Sequence, residues 1–163
     1  MNILIVEDDS DVASVLRRSL AAIGYKAEQA ATCSEAIKKI QLYDFDLILL
    51  DLFLPDGMGY ELIPRLKALD PGLNVIAMTA HNSRELETRV RRQGVLFYLI
   101  KPFEFKYLEN ILIYMAERKN INAEKSEERT TFFRSLECGG KTPLFKARHV
   151  ALSQSADMSA QSK

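Results

Sequence analysis

The sequence predicts an α/β protein with a five-stranded parallel sheet and helices on both faces. Two observations predict this class. Short, continuous apolar runs rich in β-branched residues alternate with longer segments whose apolar residues recur at helical spacing. The alternation repeats five times between residues 1 and 118, and strands that alternate with helices in this way form parallel sheets covered on both sides.

The five strands are predicted from the apolar runs, most of which end at a charged or polar residue. The run at residues 25–30 is the weakest, and the run that ends at Asp51 is the strongest. The predicted strands cover residues 3–6, 25–30, 45–50, 74–78 and 96–100.

The helices are predicted from apolar spacing and from residues typical of helix ends. Val12 and Leu20 lie on one face of the first helix, and Gly24 is a natural stop after it. Thr32 and Glu35 have the spacing of a capping box at the start of the second helix. The remaining helices are predicted over residues 60–69, 83–93 and 105–118.

Composition and charge argue against several classes of protein. Hydrophobic residues are 47%, charged residues are 27% and the net charge is zero, so no bulk field favours nucleic acid or a membrane surface. Cys33 and Cys138 lack the spacing of metal ligands, which favours a reducing cytoplasm over a disulfide framework. The start of the chain turns acidic after six residues, unlike a signal peptide, and no apolar run has membrane-spanning length.

The alternating pattern stops after residue 118. Residues 119–163 contain two apolar patches, at 131–133 and 143–145, and end in a composition that cannot support a core. We therefore expect one domain over residues 1–118 and a tail over residues 119–163 that is mostly disordered or binds a partner.

Polar side chains stand at the carboxyl ends of the strong strands. Asp8 and Asp9 follow the first strand, Asp51 the third, Thr79 the fourth and Lys101 the fifth. Parallel strands end along one edge, so these groups are expected to converge in one crevice. Crowded carboxylates raise one another's pKa unless a cation is present, and oxygen ligands of this kind suit Mg²⁺.

This set of groups suits phosphoryl transfer. A carboxylate oxygen of Asp51, at the end of the central strand, can attack phosphorus and carry the group as an acyl phosphate. Mg²⁺ held by Asp8 and Asp9, together with Lys101, would balance charge on the phosphoryl oxygens, and the Thr79 hydroxyl could donate to one of them. Taken singly, acidic residues after a strand are often only helix caps.

Four stretches resemble the receiver domain of two-component response regulators. They are ILIVEDD at 3–9, LILLDLFLPDGMGYELI at 47–63, VIAMTA at 75–80 and YLIKPF at 98–103. The resemblance covers residues 1 to about 118. It implies a flavodoxin-like, doubly wound fold with strand order 2-1-3-4-5.

The resemblance also implies roles for individual residues. Asp51 matches the phosphoacceptor, which takes its phosphoryl group from a sensor kinase histidine and shares in holding Mg²⁺. Asp9 matches a direct Mg²⁺ ligand, Asp8 a ligand acting largely through water, and the backbone carbonyl of Phe53 a third protein ligand. Lys101 matches the lysine that contacts the phosphoryl group.

A switch and an output surface are implied as well. Thr79 and Tyr98 match a pair in which the hydroxyl moves to the phosphoryl group and the ring turns into the vacated space. The Lys101–Pro102 bond matches one that is usually cis in the family. Because Tyr98 lies on that side, the resemblance places the contact with a downstream protein on the fourth helix, fifth strand and fifth helix.

Other functions compete with this interpretation. A phosphatase or phosphotransferase with an aspartyl nucleophile, as in the haloacid-dehalogenase-like enzymes, would have an aspartate two residues after the nucleophile, where this chain has Phe53. A binding module that has lost phosphorylation would not need the intact acidic set. A truncated transcriptional regulator could contact DNA through residues 119–163, but the eight basic residues there are scattered among five acidic ones, which argues against DNA as a partner.

We expect a phosphoacceptor that is not an enzyme in the usual sense, with a sensor histidine kinase or a phosphotransfer protein as its phosphoryl donor.

Overall fold

The computed structural model describes residues 1–118 and confirms the predicted alternation of strands and helices. In chain order the elements are β1 (Asn2–Val6), α1 (Ser10–Ala22), β2 (Lys26–Ala30), α2 (Cys33–Leu42), β3 (Leu47–Asp51), β4 (Phe53–Leu54), β5 (Gly57–Met58), α3 (Gly59–Leu69), β6 (Asn74–Thr79), α4 (Arg84–Arg92), β7 (Phe97–Ile100) and α5 over residues 105–118. The predicted tail, with its patches at 131–133 and 143–145, lies outside the described residues.

Five strands form one parallel sheet in the order β2-β1-β3-β6-β7. Counted along this sheet alone, the order is 2-1-3-4-5, as the sequence resemblance implied. The chain adds β2 on one side of β1 and then continues through β3 on the other side, so the winding direction reverses between β1 and β3. In doubly wound sheets, ligands bind in the crevice beyond the carboxyl ends of the strands at such a reversal.

β3 is buried over its whole length, and β1 and β6 are buried after their first residues, because helices cover both faces of the sheet. Side chains alternate along each strand. One face carries a cluster formed with residues of α2, α3 and α4, which includes Leu50, Ala36, Ile63 and Val90. The other set of strand residues faces the side of the sheet on which α1 lies. Helix α1 contacts β1 and β2 and buries Leu16 and Leu20. Helix α5 buries residues 108, 111 and 112.

Helix ends follow the signals in the sequence. The Thr32 hydroxyl accepts from the Glu35 amide at 3.0 Å, and the Glu35 carboxylate accepts from the Ala31 amide at 2.9 Å, which confirms a capping arrangement at the start of α2. Gly24 follows α1 with a φ of 85°, a left-handed conformation that favours glycine.

The short antiparallel hairpin of β4 and β5 was not predicted. It pairs Phe53 with Met58 and Leu54 with Gly57, directly after the strand that ends at Asp51. Among the helices described within residues 1–118, none is both long and apolar enough to cross a membrane.

Candidate functional site

The candidate site lies at the carboxyl edge of the sheet, where β1, β3, β6 and β7 end. Asp51 is the last residue of β3 and Thr79 the last of β6, while Glu7 directly follows β1 and Lys101 directly follows β7. The strand register pairs Val6 with residue 50 and Thr79 with residue 100. Four strands therefore deliver polar side chains to one level of the sheet.

Lys101 lies at the centre of this group. Its ammonium donates hydrogen bonds to the carboxylates of both Glu7 and Asp51, so one side chain joins the ends of β1, β3 and β7. All three groups are largely buried, with side-chain exposures of 17% for Lys101, 3% for Glu7 and 11% for Asp51. The Lys101 amide donates to the Thr79 carbonyl at 2.7 Å, and the Lys101–Pro102 bond is cis, which confirms that prediction.

Three carboxylates meet beside this lysine. Oxygen atoms of Glu7, Asp8 and Asp51 lie within 4.8 Å of one another, with Glu7 and Asp51 buried and Asp8 exposed. Three negative charges so close together exceed the single charge of Lys101. Carboxylate oxygens at this separation, one of them open to solvent, are a donor set that suits a hard divalent cation such as Mg²⁺.

The electrostatics of the site follow from this crowding. Burial raises the pKa of Glu7; the hydrogen bond and charge of Lys101 oppose the rise, and the charges of Asp51 and Asp8 add to it. For Lys101, burial alone would lower the pKa, but the hydrogen bonds and charges of Asp51 and Glu7 outweigh it and raise the pKa above 10.5. Lys101 is therefore a permanent cation in the site.

Asp9 is not part of this group. Its side chain caps α1, where Oδ1 accepts from the amides of Asp11 at 2.9 Å and Val12 at 3.1 Å. The structure instead brings Glu7 to Asp8 and Asp51, so the acidic pair of the cluster is Glu7 and Asp8, one residue earlier than the predicted pair of Asp8 and Asp9. A signal for Glu7 was present in the sequence, because the apolar run ends at Val6 and Glu7 is the first polar residue after it.

The loop after Asp51 is tied to the site by its backbone. The Phe53 amide donates to Asp51 Oδ1 at 2.9 Å. Phe53 is the first residue of β4, and its backbone carbonyl is the predicted third protein ligand of Mg²⁺. The Gly59 amide donates to the Leu52 carbonyl at 2.9 Å. A Cβ at Gly59 would lie 2.0 Å from the Asp51 carbonyl oxygen, so the backbone of this loop packs directly on the strand end.

The two predicted switch residues are both buried, on neighbouring strands. The Thr79 hydroxyl donates to the His81 carbonyl and accepts from the His81 amide, each at 3.0 Å, so it is engaged within its own turn. The Tyr98 hydroxyl donates to Asn82 Oδ1 at 3.2 Å, and the Arg91 guanidinium lies 5.8 Å from the ring centroid. Burial and the charge of Glu87 raise the pKa of Tyr98, against a smaller lowering by Arg91.

The rings of Phe53 and His81 pack against each other beside these groups. Their centroids are 5.0 Å apart and the planes are tilted by 58°. Phe53 follows Asp51 by two residues and His81 follows Thr79 by two, so this contact bridges the loops after β3 and β6. Neither the Phe53–His81 contact nor the partner of Tyr98, Asn82, was evident from the sequence.

Comparison with known proteins adds a family match. Residues 3–113 match the family described as the response regulator receiver domain. The chain is similar to the DNA-binding transcriptional regulator NtrC of Bradyrhizobium sp. (strain RP501 Parasponia), with 29% identity over 157 residues. That alignment covers 94% of this chain and 32% of the relative, so the chain spans about a third of the relative's length.

Solved structures show the same architecture. A CheY-like response regulator receiver domain protein from Methanospirillum hungatei JF-1 superposes with a TM-score of 0.68 at 34% identity, over 73% of this chain and 96% of that one. A response regulator from Burkholderia pseudomallei with a phosphorylated aspartic acid, a calcium ion and citrate gives 0.64 at 30% identity, over 78% of this chain and 74% of that one.

Proposed function

Because the chain belongs to the response regulator receiver domain family, we propose that Asp51 accepts a phosphoryl group from a sensor histidine kinase or a phosphotransfer protein. The observation that carries this proposal is the contact of one lysine ammonium with the carboxylates of Asp51 and Glu7 at the end of the sheet. A carboxylate oxygen of Asp51 forms the new O–P bond. The P–N bond of the phosphohistidine breaks, and the imidazole leaves with the electron pair and takes up a proton.

The residues of this chain prepare the acceptor for that step. Lys101 and the Phe53 amide each bind a different oxygen of the Asp51 carboxylate, which fixes its orientation. The same ammonium lies where negative charge collects when a phosphoryl group is attached, and fixed charges aimed at developing charge lower a barrier. Burial of Asp51, whose side chain is 11% exposed, keeps water from competing for these contacts.

The acidic cluster supports a Mg²⁺ site. We assign the ion to Glu7, Asp8 and Asp51 with the Phe53 carbonyl. Asp9 is left out because it does not belong to this cluster and its Oδ1 caps α1. When bound, Mg²⁺ would balance charge on the phosphoryl oxygens. The calcium ion found with a phosphorylated aspartic acid in the Burkholderia pseudomallei regulator supports a divalent cation here.

Phosphorylation is proposed to shift a two-state switch at Thr79 and Tyr98. To reach the phosphoryl group, the Thr79 hydroxyl must give up both of its hydrogen bonds to the His81 backbone, one donated and one accepted. A hydrogen bond to a charged group contributes about 1.5–3 kcal/mol and a neutral one about 0.5–1.5 kcal/mol, so the new bond roughly offsets the two that are lost. A bias of about 1.4 kcal/mol changes a population tenfold, so the Thr79 contact shifts the switch only together with the other contacts of the phosphoryl group.

The response is proposed to pass through α4, β7 and α5 to a downstream protein. Tyr98 of β7 contacts α4 through Arg91, so a turn of its ring changes that helix surface. Ile100, Tyr107 and Ile113 are exposed large apolar side chains on β7 and α5, which supports a protein contact there. DNA binding belongs to the NtrC relative, of which this chain spans about a third, and is not transferred to this chain. A cytoplasmic location remains a prediction from the sequence.

Labelling with acetyl phosphate in the presence of Mg²⁺ tests the proposal. Wild type should take up at most one phosphoryl group per chain, and Asp51→Asn none. Asp44→Asn, which changes an exposed carboxylate outside the cluster, is the matched control and should label as wild type does. Undiminished labelling of Asp51→Asn would remove Asp51 from the role, and sustained hydrolysis of a phosphomonoester would favour a phosphatase instead.

A further inference from the structure

The β4–β5 hairpin carries much of the site, and its own strand pairing contributes little to holding it in place. Each strand has two residues, and small isolated hairpins are marginal in water. The hairpin nevertheless contains Phe53, whose amide binds Asp51 Oδ1 and whose carbonyl is the proposed ligand. Contacts outside the hairpin must therefore fix the position of Phe53.

One such contact comes from Asp56, in the turn between β4 and β5. Its Oδ1 accepts from the Cys33 amide at 2.8 Å and its Oδ2 from the Ser34 amide at 3.0 Å. Both amides belong to the first turn of α2, 22 and 23 residues earlier in the chain. The carboxylate thus fastens the tip of the hairpin to the end of a helix.

This contact completes the cap of α2. The first amides of a helix have no intrahelical acceptor. Thr32 supplies an acceptor for Glu35 only, so Asp56 supplies those of Cys33 and Ser34. These backbone hydrogen bonds lower the pKa of Asp56 to about 2, so its carboxylate is ionised at any physiological pH and the contact does not depend on pH in that range.

We propose that Asp56 is a positioning residue for the chemistry at Asp51, which ties the β4–β5 hairpin to α2 and so presets the amide and the carbonyl of Phe53. The consequence for phosphorylation and for Mg²⁺ rests on the function proposed above. The contact itself does not, because it is a relation between the hairpin and α2 in the chain alone.

Asp56→Ala and Thr32→Ala form a matched pair for the test. Both remove an acceptor from the start of α2, but only Asp56→Ala releases the hairpin. In the metal-free protein, amide hydrogen exchange should quicken at Cys33, Ser34 and Phe53 in Asp56→Ala. In Thr32→Ala it should quicken at Glu35 and stay at the wild-type rate at Phe53.

The Mg²⁺ dependence of labelling gives a second readout. The Mg²⁺ concentration for half-maximal labelling by acetyl phosphate should rise about tenfold in Asp56→Ala, the lower end of the loss expected when a group that orients metal ligands is removed. Thr32→Ala should match the wild type, although its melting temperature falls. Where Asp56→Ala does not fold, Asp56→Asn, which keeps one acceptor oxygen, should show the same effects at smaller size.

The outcomes separate this inference from the function on which it partly rests. Wild-type exchange at Phe53 together with wild-type Mg²⁺ dependence in the folded variant would reduce Asp56 to a helix cap and overturn the inference. Failure of the wild-type protein to label would refute the proposed function, while the exchange at Phe53 would still decide whether Asp56 positions the hairpin.

Discussion

The ammonium of Lys101 binds the carboxylate of Asp51 across 50 residues of sequence, and the same ammonium binds Glu7 across 94. Neither contact is local, because each depends on parallel strands that bring their carboxyl ends to one edge of the sheet. The lysine therefore joins strand ends that are distant in the sequence and also supplies a positive charge to the site. It balances one of the three negative charges that meet there and leaves room for a further cation.

Removing the lysine should destabilise the metal-free protein more than the metal-bound protein. Lys101→Ala leaves the carboxylates of Glu7 and Asp51 buried without their cation. Breaking a fully buried ion pair lowers the free energy of unfolding by about 3–5 kcal/mol, and for this partly exposed pair we expect about 2 kcal/mol. Urea unfolding without Mg²⁺ measures the loss, and added Mg²⁺ should recover part of it. Lys106→Ala removes an exposed lysine paired with Glu109 and should cost under about 1 kcal/mol. Equal losses in the two variants would show that Lys101 is not holding the cluster together.

Glu7 should make the metal-free protein sensitive to pH. Its pKa is raised in the folded state above the ordinary 4.5, so the stability linked to it is fully present below about pH 4.5 and is lost as the pH rises through the higher folded value. Glu7→Gln mimics the protonated form, so it should match the wild type in acid and become progressively more stable than the wild type toward neutrality. Urea unfolding across that range without Mg²⁺ measures the difference.

Mg²⁺ should reverse the order of these two proteins. The ion favours ionised Glu7, so at neutral pH it should stabilise the wild type much more than Glu7→Gln. Glu61→Gln changes an exposed glutamate of α3 and should follow the wild type under every condition. A pH-independent difference between Glu7→Gln and the wild type would contradict the role of the Glu7 charge.

The central strands could be predicted from the sequence because burial on both faces leaves a continuous apolar run, and the strand order was implied by the resemblance to the receiver domain. It was harder to predict which two acidic residues join Asp51 in the site. Asp8, Asp9 and Glu7 are adjacent carboxylates, and which of them faces the crevice depends on where the strand ends and on which one the helix uses as a cap. The contact of Asp56 with α2 could not be predicted, since it joins backbone amides 22 and 23 residues away and has no side-chain pattern.

Gly59 should not tolerate a methyl group. A Cβ there would lie 2.0 Å from the Asp51 carbonyl oxygen and 3.0 Å from the Leu52 Cα, and both atoms are backbone. Gly59→Ala must therefore move the strand end that carries the acceptor, at a cost of about 3 kcal/mol, the upper end for overpacking. Urea unfolding measures the loss, and labelling by acetyl phosphate should slow as well.

Gly72→Ala is the control for the loss of a glycine. A Cβ at Gly72 would meet only the side chain of Asp70, at 3.3 Å, which can give way. Its cost should stay below about 1 kcal/mol and labelling should be unchanged. A Gly59→Ala variant as stable as Gly72→Ala would mean that the loop can move away from Asp51 freely.

The hydrogen bond from Tyr98 to Asn82 should hold the ring in the position that it has in this structure, outside the space that Thr79 occupies. Asn82→Ala removes the acceptor of this hydrogen bond, which contributes about 1 kcal/mol to the present ring position. Its loss should favour the alternative ring position and tighten binding of beryllofluoride, a phosphoryl mimic, by about fivefold.

Tyr98→Phe removes the donor of the same hydrogen bond. If the bond is the cause, the double variant should bind the mimic no more tightly than either single variant, since the two changes delete one interaction. Titration of beryllofluoride with Mg²⁺ against the four proteins measures the coupling, and additive effects would show that Asn82 acts on the site by another route than Tyr98.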